Sequence, residues 1–477
     1  MKKKNQNGMR PFGFLDNLSY AAGDFACNMS FALKGTLVIF WTQYMGLNSL
    51  VYAGLLLVVQ IWDAINDPII GAWFDADHKA HRMNKFKLYI LIGAIGLILA
   101  GALCFIPLPN APMAVKNILF IAGYMLWDAF YTIANVPYGT MLSAITEDSG
   151  ERAALSTWRS LGSLIANIVT TALIPVLCYD AANNLMGEKV FTIALILGGL
   201  GFLAFAFMLK TTVIRVQDNF KASEERPKFN VWKAFGAFFR NRAAVGCTIA
   251  AMAMFIGMQA ANAAVTVLFQ SYFHNVQLSG VISLFSMIPV IVLAPFIRRL
   301  AKRYGKKEIV MAGALFSTLA CLLMLVLPIT PDGTGLLIYT VCCFLNSFGI
   351  GTLMCLVYSM VADAIDYNEW KFNNKDEGTT YALHSFFRKL AQGVGPSLAL
   401  VIMVWLGYVE ADQGNQAAAV ATNMRYFVPA LYLFAAVLVV VSIGLIYNID
   451  KNKLAEMNEA LGRTAAVVPD APAPAEE

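Results

Sequence analysis

Apolar runs of about 20 residues recur along the whole chain, separated by short polar or basic stretches. A helix of about 20 residues crosses the roughly 30 Å hydrocarbon core of a bilayer, so each run reads as a membrane-spanning helix. Twelve are predicted, at 18–45, 51–74, 88–107, 116–145, 154–178, 189–210, 244–271, 278–300, 308–328, 335–362, 379–408 and 424–447. The chain thus reads as an all-α integral membrane protein in two six-helix halves. The N-terminal half is 1–210, a linker loop 211–243, the C-terminal half 244–447 and a tail 448–477. The tail ends in "RTAAVVPDAPAPAEE", whose Ala and Pro content predicts partial disorder.

Basic residues sort by loop. Lys2, Lys3, Lys4 and Arg10 precede the first span, and Lys79, Arg82, Lys85 and Lys87 follow the second. Lys210, Arg215, Lys221, Arg226, Lys228, Lys233, Arg240 and Arg242 follow the sixth, and a further six from Arg298 to Lys307 follow the eighth. The alternate loops hold only Lys116, Lys189 and, at a span edge, Arg425. By the positive-inside rule both termini and the linker are cytoplasmic, in a bacterial inner membrane. "MKKKNQNGMRPFGFLDN" carries no short apolar core with a small-residue cleavage site, so it does not read as a removable signal peptide.

Composition agrees. Of 477 residues, 58% are hydrophobic and 14% charged, against about 25% charged in soluble proteins. The net charge of +5 comes from loop lysines and arginines, so nucleic acid is not an expected partner; membrane lipid is. Eight cysteines lie in or beside apolar runs without metal-ligand spacing and read as buried thiols. The four histidines, His78, His81, His274 and His384, form no catalytic constellation, so no enzyme and no cofactor is expected, apart from Na+ as a coupling ion.

Charges within the spans carry the functional reading, because each costs roughly 2.5–3.5 kcal/mol at a helix centre. They are Asp24, Lys34, Asp63, Asp67, Asp128, Arg159, Arg388 and Lys389. In "VVQIWDAINDPIIGAW", Asp63 and Asp67 are separated by about 400° of helical rotation and share a face. Two adjacent carboxylates in low dielectric repel, so a proton or cation neutralises them, or a Lys or Arg of another span does. Asn66 adds a neutral oxygen. Asp128, Thr132 and Asn135 form a polar stripe in the fourth span, either lining a pocket or bonding helices together. Thr132 suits the oxygen shell of a hard cation.

In the first span Asp24 and Asn28 share a face, and Asp24 reads as an acceptor for sugar hydroxyls. Lys34, about 80° away on an ideal helix, snorkels, pairs with an aspartate or meets an anionic substrate group. Trp41, Trp62, Trp127 and Trp158 are candidate stacking rings, though such residues more often serve the core. In "YALHSFFRKLAQGVGP", the basic side chains either snorkel or form gating ion pairs with "DAIDYNEW".

A faint repeat relates the halves: "PYGTMLSAITED" with "LVYSMVADAIDY", and "STWRSLG" with "SFFRKLA", which sets Arg159 opposite Arg388. Taken in order, "GDF", "WDAINDPIIG", "KFK", "YTIANVPYG", "STWRSLG" and "MVADAIDYNEWK" with "EGTTYALHSFFRKLAQ" resemble the glycoside–pentoside–hexuronide cation symporters. That is the family of melibiose permease and of glucuronide and xyloside carriers. The likeness runs to about residue 450. It implies the major facilitator superfamily fold, with its substrate site between halves near the midplane, and uptake of a small sugar or glycoside with Na+ or H+. It assigns Asp63, Asn66, Asp67 and Thr132 to the cation, and Asp24 to the sugar. Arg159 and Lys389 match charged residues beside both sites, and His384 and Ser385 polar pocket positions. Asn135 stands where melibiose permease has a second sugar-binding acid, and Gly139 replaces a pocket tryptophan. Lys34 and Asp128 fall outside the family pattern; one acid fewer and one lysine more suit an anionic sugar. An amphiphile or lipid transporter on the same scaffold is the alternative. It would need a wide apolar cleft, against the polar stripe of the fourth span.

Overall fold

A computed structural model describes residues 10–31, 33–77, 83–146, 149–215, 236, 238–372 and 377–461. Among these, twelve helical segments are long and apolar enough to cross a membrane. The first six spans are α1 (Phe14–Phe31) with the short α2 (Lys34–Ile39), α3 (Ser49–Ala76), α4 (Lys85–Cys104), α5 (Met113–Ile145), α6 (Ser149–Leu177) and α7 (Gly187–Thr211). The last six are α8 (Arg242–Ser271), α9 (Gln277–Tyr304), α10 (Lys306–Val326), α11 (Gly333–Phe372), α12 (Glu377–Trp405) and α13 (Ala418–Val441). A final helix α14 (Lys451–Ala460) lies beyond the spans. It docks through the fully buried Met457, so the start of the tail is ordered. Several sequence expectations lie outside the described residues: Lys2, Lys3, Lys4, Lys79, Arg82, Lys221, Arg226, Lys228, Lys233, His78, His81 and the tail from 462.

The first span differs from the uninterrupted helix expected at 18–45. α1 stops at Phe31, Leu33 lies in a turn, and α2 restarts at Lys34 before a π-helical turn at Phe40–Tyr44. An ideal-helix angle from Asp24 to Lys34 therefore does not apply.

Polar ends are satisfied as helix geometry requires. Asn48 caps α3, accepting from the amides of Leu50 and Val51, and Asn84 caps α4 through Phe86 N–H. The sparse cations of the far end, away from the termini, are held at carbonyls. Lys116 donates to Met45 O at 2.5 Å, and Arg425 donates to Leu325 O and Leu327 O where α10 ends. A cation at a helix C-terminus meets the negative end of the helix dipole.

Two apolar cores divide the molecule. One runs through the first six spans and continues into the last six only towards the far end, through Ala260, Phe269, Tyr339, Met403 and Phe427. The other belongs to the last six alone at the terminal end, around Cys247, Val310, Met360 and Tyr367. Hydrogen bonds between the two sets follow the same asymmetry. At the far end Gln43 Nε2 donates to Gln270 Oε1 and to Tyr408 Oη, both at 2.9 Å, and Gln270 Nε2 donates back to Gln43 Oε1. The Asn183 side chain donates to His274 O and accepts from Val276 N–H. The Glu410 carboxylate accepts from the first amide of α3, Ser49 N–H, at 2.6 Å. The described residues form no such bonds between the sets at the terminal end, and the two cores stay separate there, leaving a cleft between the described parts of the halves.

Close helix approach positions the site. A Cβ at Gly162 of α6 would stand 2.1 Å from Ala21 O of α1, so only glycine lets these helices meet one turn from Arg159. Gly162→Val is expected to push α1 from α6 and cost roughly 1–3 kcal/mol by overpacking. Thermal unfolding of the purified protein in detergent checks this; an unchanged melting temperature would show that the approach is not tight.

Candidate functional site

Two polar clusters line the cleft in the first six spans. In the first, Arg159 Nε of α6 donates to Asp24 Oδ1 of α1 at 2.8 Å, and Asn28 Nδ2 donates to Asp24 Oδ2 at 3.0 Å. One turn of α1 thus sets a carboxylate and an amide side by side, as expected of Asp24 and Asn28. Beneath them Tyr20 and Tyr138 stack at 4.6 Å and bond each other's backbone carbonyls. Arg159 lies 5.0 Å over the Tyr138 ring, which adds a cation–π contact. Among the described residues, the one atom within 4 Å of a Cβ built at Gly139 is Arg159 Nη1, at 3.8 Å. The missing pocket tryptophan therefore leaves open space over the guanidinium, whose side chain is 36% exposed.

In the second cluster, Thr132 Oγ1 of α5 donates to Asp67 Oδ1 of α3 at 2.7 Å and accepts from Asn66 Nδ2 at 3.3 Å. Lys389 of α12, from the last six spans, salt-bridges Asp67 and stands 3.8 Å from Asp63 Oδ1. Asp63, Asn66, Asp67 and Thr132 therefore do come together, and the neutralising charge in this structure is a lysine from the opposite half. Lys389, expected beside the sugar and cation sites, lies against the carboxylates, whose combined field draws the ammonium.

Lys34 resolves to the ion-pair option among its three readings. Its ammonium lies 3.2 Å from Asp128 Oδ1 and over the rings of Tyr124 (5.1 Å) and Trp127 (6.0 Å). The start of α2 points it at the polar stripe of α5, and it also lines the cavity between the halves.

Other expected residues are placed differently. His384 is 1% exposed and sealed within the last six spans, its Nδ1 2.9 Å from Thr248 Oγ1 and its ring against Tyr358. It does not reach the cleft, because its face of α12 turns towards α8 and α11. Ser385 and Asn135 are half-buried and make no side-chain hydrogen bond among the described residues. Within the "DAIDYNEW" stretch, Asp363 is held by Lys306 of α10, which donates to both its oxygens at 2.7 Å. Trp41 and Trp127 are core aromatics, Trp41 bonded to Cys104 O.

A cavity between the halves adds residues that had not been singled out. Lys34, Gln60, Asp63, Gln259, Asn262 and Gln392 line it. Gln60 lies one turn before Asp63 and is held by Tyr124 Oη at 2.8 Å. Gln259 and Asn262 sit three apart on an alanine-rich stretch of α8 and bond each other at 3.1 Å. An amide pair in an otherwise small and apolar span was the signal available for them.

With this geometry described, comparison with known proteins adds the following. The family model "MFS/sugar transport protein" matches residues 19–451. Symporter YjmB of Bacillus subtilis is 28% identical over 450 residues, covering 94% of this chain and 95% of that protein. The isoprimeverose transporter of Lactiplantibacillus pentosus is 28% identical over 464 residues, covering 95% and 93%. Among solved structures, the nucleoside transporter NupG superposes with a TM-score of 0.59 at 16% identity, covering 91% of this chain and 99% of that one, which supports the fold.

Lys389→Met leaves two carboxylates facing each other. Breaking a fully buried pair costs about 3–5 kcal/mol, and the partial exposure of these side chains reduces this to roughly 1–3 kcal/mol. The variant is expected to melt several degrees below the native chain at pH 8 without Na+. Protons or Na+ neutralise the same carboxylates, so the deficit shrinks as pH falls towards 5 or as Na+ is added. A deficit independent of both would mean that Lys389 acts only by packing.

Proposed function

Because the chain belongs to the MFS/sugar transport protein family, we propose that it imports a small glycoside together with Na+ or H+. The supporting observation is that Asp63 and Asp67 are neutralised by a lysine of the opposite half. Both acids sit on one face of α3 beside Thr132 of α5, and the charge that balances them, Lys389, belongs to the opposite half. A cation or proton at these oxygens takes over the role of Lys389 and loosens a link between the halves. Asp24 accepts from sugar hydroxyls, while Asn28, Arg159 and the cavity amides donate. Since Lys34 is matched by Asp128, it gives no argument for an anionic sugar, and the class supported is a small glycoside.

With basic loops and both termini in the cytoplasm, the cleft faces inward. The far-end contacts between Gln43, Gln270, Tyr408 and Asn183 must open for sugar to enter from outside. Symport requires that ion and sugar favour the switch only together, a coupling free energy typically of about 1–3 kcal/mol. The halves then rock about the site.

Radiolabelled uptake into proteoliposomes tests this, with isoprimeverose, methyl β-xyloside and methyl β-glucuronide as probes and Na+ and pH gradients imposed separately. Uptake of at least one probe is expected to follow one gradient and to fall at least tenfold in Asp63→Cys. Uptake that survives in the variant makes the acids structural. No gradient-driven uptake of any probe removes the glycoside symport reading.

A further inference from the structure

The cluster holds one acid and one base more than its two-aspartate core. Asp128 is 1% exposed, and only one of its oxygens is engaged by Lys34. The other, Oδ2, is buried without a hydrogen-bond partner. Asp63 lines the same cavity as the Lys34 ammonium that Asp128 holds. Two carboxylates bordering one cavity in a membrane span offer a cation site in their own right, and the cation beside them is a side chain. We propose that Asp63 and Asp128 form a second cation site whose permanent occupant is the Lys34 ammonium, and that this tethered charge sets the number of ions carried per sugar. The inference rests on the reading of Asp63 and Asp67 as the coupling-ion site.

Charge counting gives it consequences. Asp63, Asp67 and Asp128 supply three negative charges, and Lys34 and Lys389 two positive ones. One monovalent cation completes neutrality. Arg388, the other cation in electrostatic range of Asp63, lies 5.3 Å over Phe255 and has no carboxylate within 4 Å among the described residues. Asp24 and Arg159 balance each other. The aromatic cage of Tyr124 and Trp127 keeps the Lys34 ammonium in place. Lys389, which bridges the two halves, changes partners when the ion arrives but stays in the cluster, so its charge remains in the count.

The decisive experiment measures charge moved per sugar in proteoliposomes, from the voltage that just balances an imposed gradient of a probe. The probe is whichever of isoprimeverose, methyl β-xyloside and methyl β-glucuronide the native chain carries, with its own charge subtracted. The native chain should move one charge. K34Q opens the second site and should move two. D128N leaves no net charge and should carry sugar without gradient drive, and the K34Q/D128N double variant should return to one. D128N is close to isosteric and leaves Lys34 facing Asp63, so it tests the count even where K34Q fails to fold. One charge per sugar in K34Q, or gradient-driven uptake unchanged in D128N, overturns the second site while leaving the Asp63–Asp67 reading intact. A native chain that couples to neither gradient overturns both.

Discussion

A carboxylate inside a membrane must be neutralised, and the architecture of the site follows from that constraint. Three aspartates on two helices cannot coexist ionised in low dielectric. Each acquires an opposite charge from elsewhere: Asp67 and Asp63 from Lys389 across the cleft, Asp128 from Lys34 at the start of α2. Asp24 obtains Arg159 from α6 in the same way. Helix positions are thus tied to charge balance, and a change of charge at the site becomes a change in which helices attract one another.

The two ends of the molecule are held by different chemistry. At the far end the halves meet through amides, a phenol and a carboxylate on a helix N-terminus. The neutral ones are worth about 0.5–1.5 kcal/mol each and the charge-assisted carboxylate contact roughly twice that, and water replaces them when they open. No ion pair among the described residues joins the halves there, so opening that end strands no charge in the bilayer. Ionic strength and pH then act mainly on the centre, where Lys389 crosses between the halves. A transporter needs this division: a gate that opens cheaply and a centre whose state decides when it does.

Much of this was legible in the sequence, for identifiable reasons. Span number follows from apolar length, and the pairing of Asp63 with Asp67 follows from helical period and the cost of buried charge, both local quantities; Thr132 of another span was assigned to them by the family resemblance. Contacts between spans were less legible. Spacing alone does not tell that Lys389 rather than Lys34 reaches Asp67, nor that His384 faces inward to Thr248. The interruption after Phe31 was hidden because "FALKG" is apolar enough to continue a helix, and it is this interruption that swings Lys34 towards Asp128. Gln60, Gln259 and Asn262 were missed because uncharged amides cost less in a span than acids and so stand out less.

The identity of the counter-charge also bears on how coupling arises. Had Asp63 and Asp67 been neutralised by a lysine of their own half, binding an ion would relieve strain locally and leave the halves indifferent to it. Lys389 lies on α12, which packs along α3 where Gly393 makes room for Gln60 and Ser397 bonds Ala53 O. The carboxylates are therefore bound either by an ion from solution or by the opposite half. These two states differ in inter-half attraction by the strength of a partly buried ion pair, on the order of 1 kcal/mol or more. That is the size of free energy with which a site can bias a conformational equilibrium. A second ammonium that never leaves, Lys34 in its aromatic cage, makes the exchange one charge at a time.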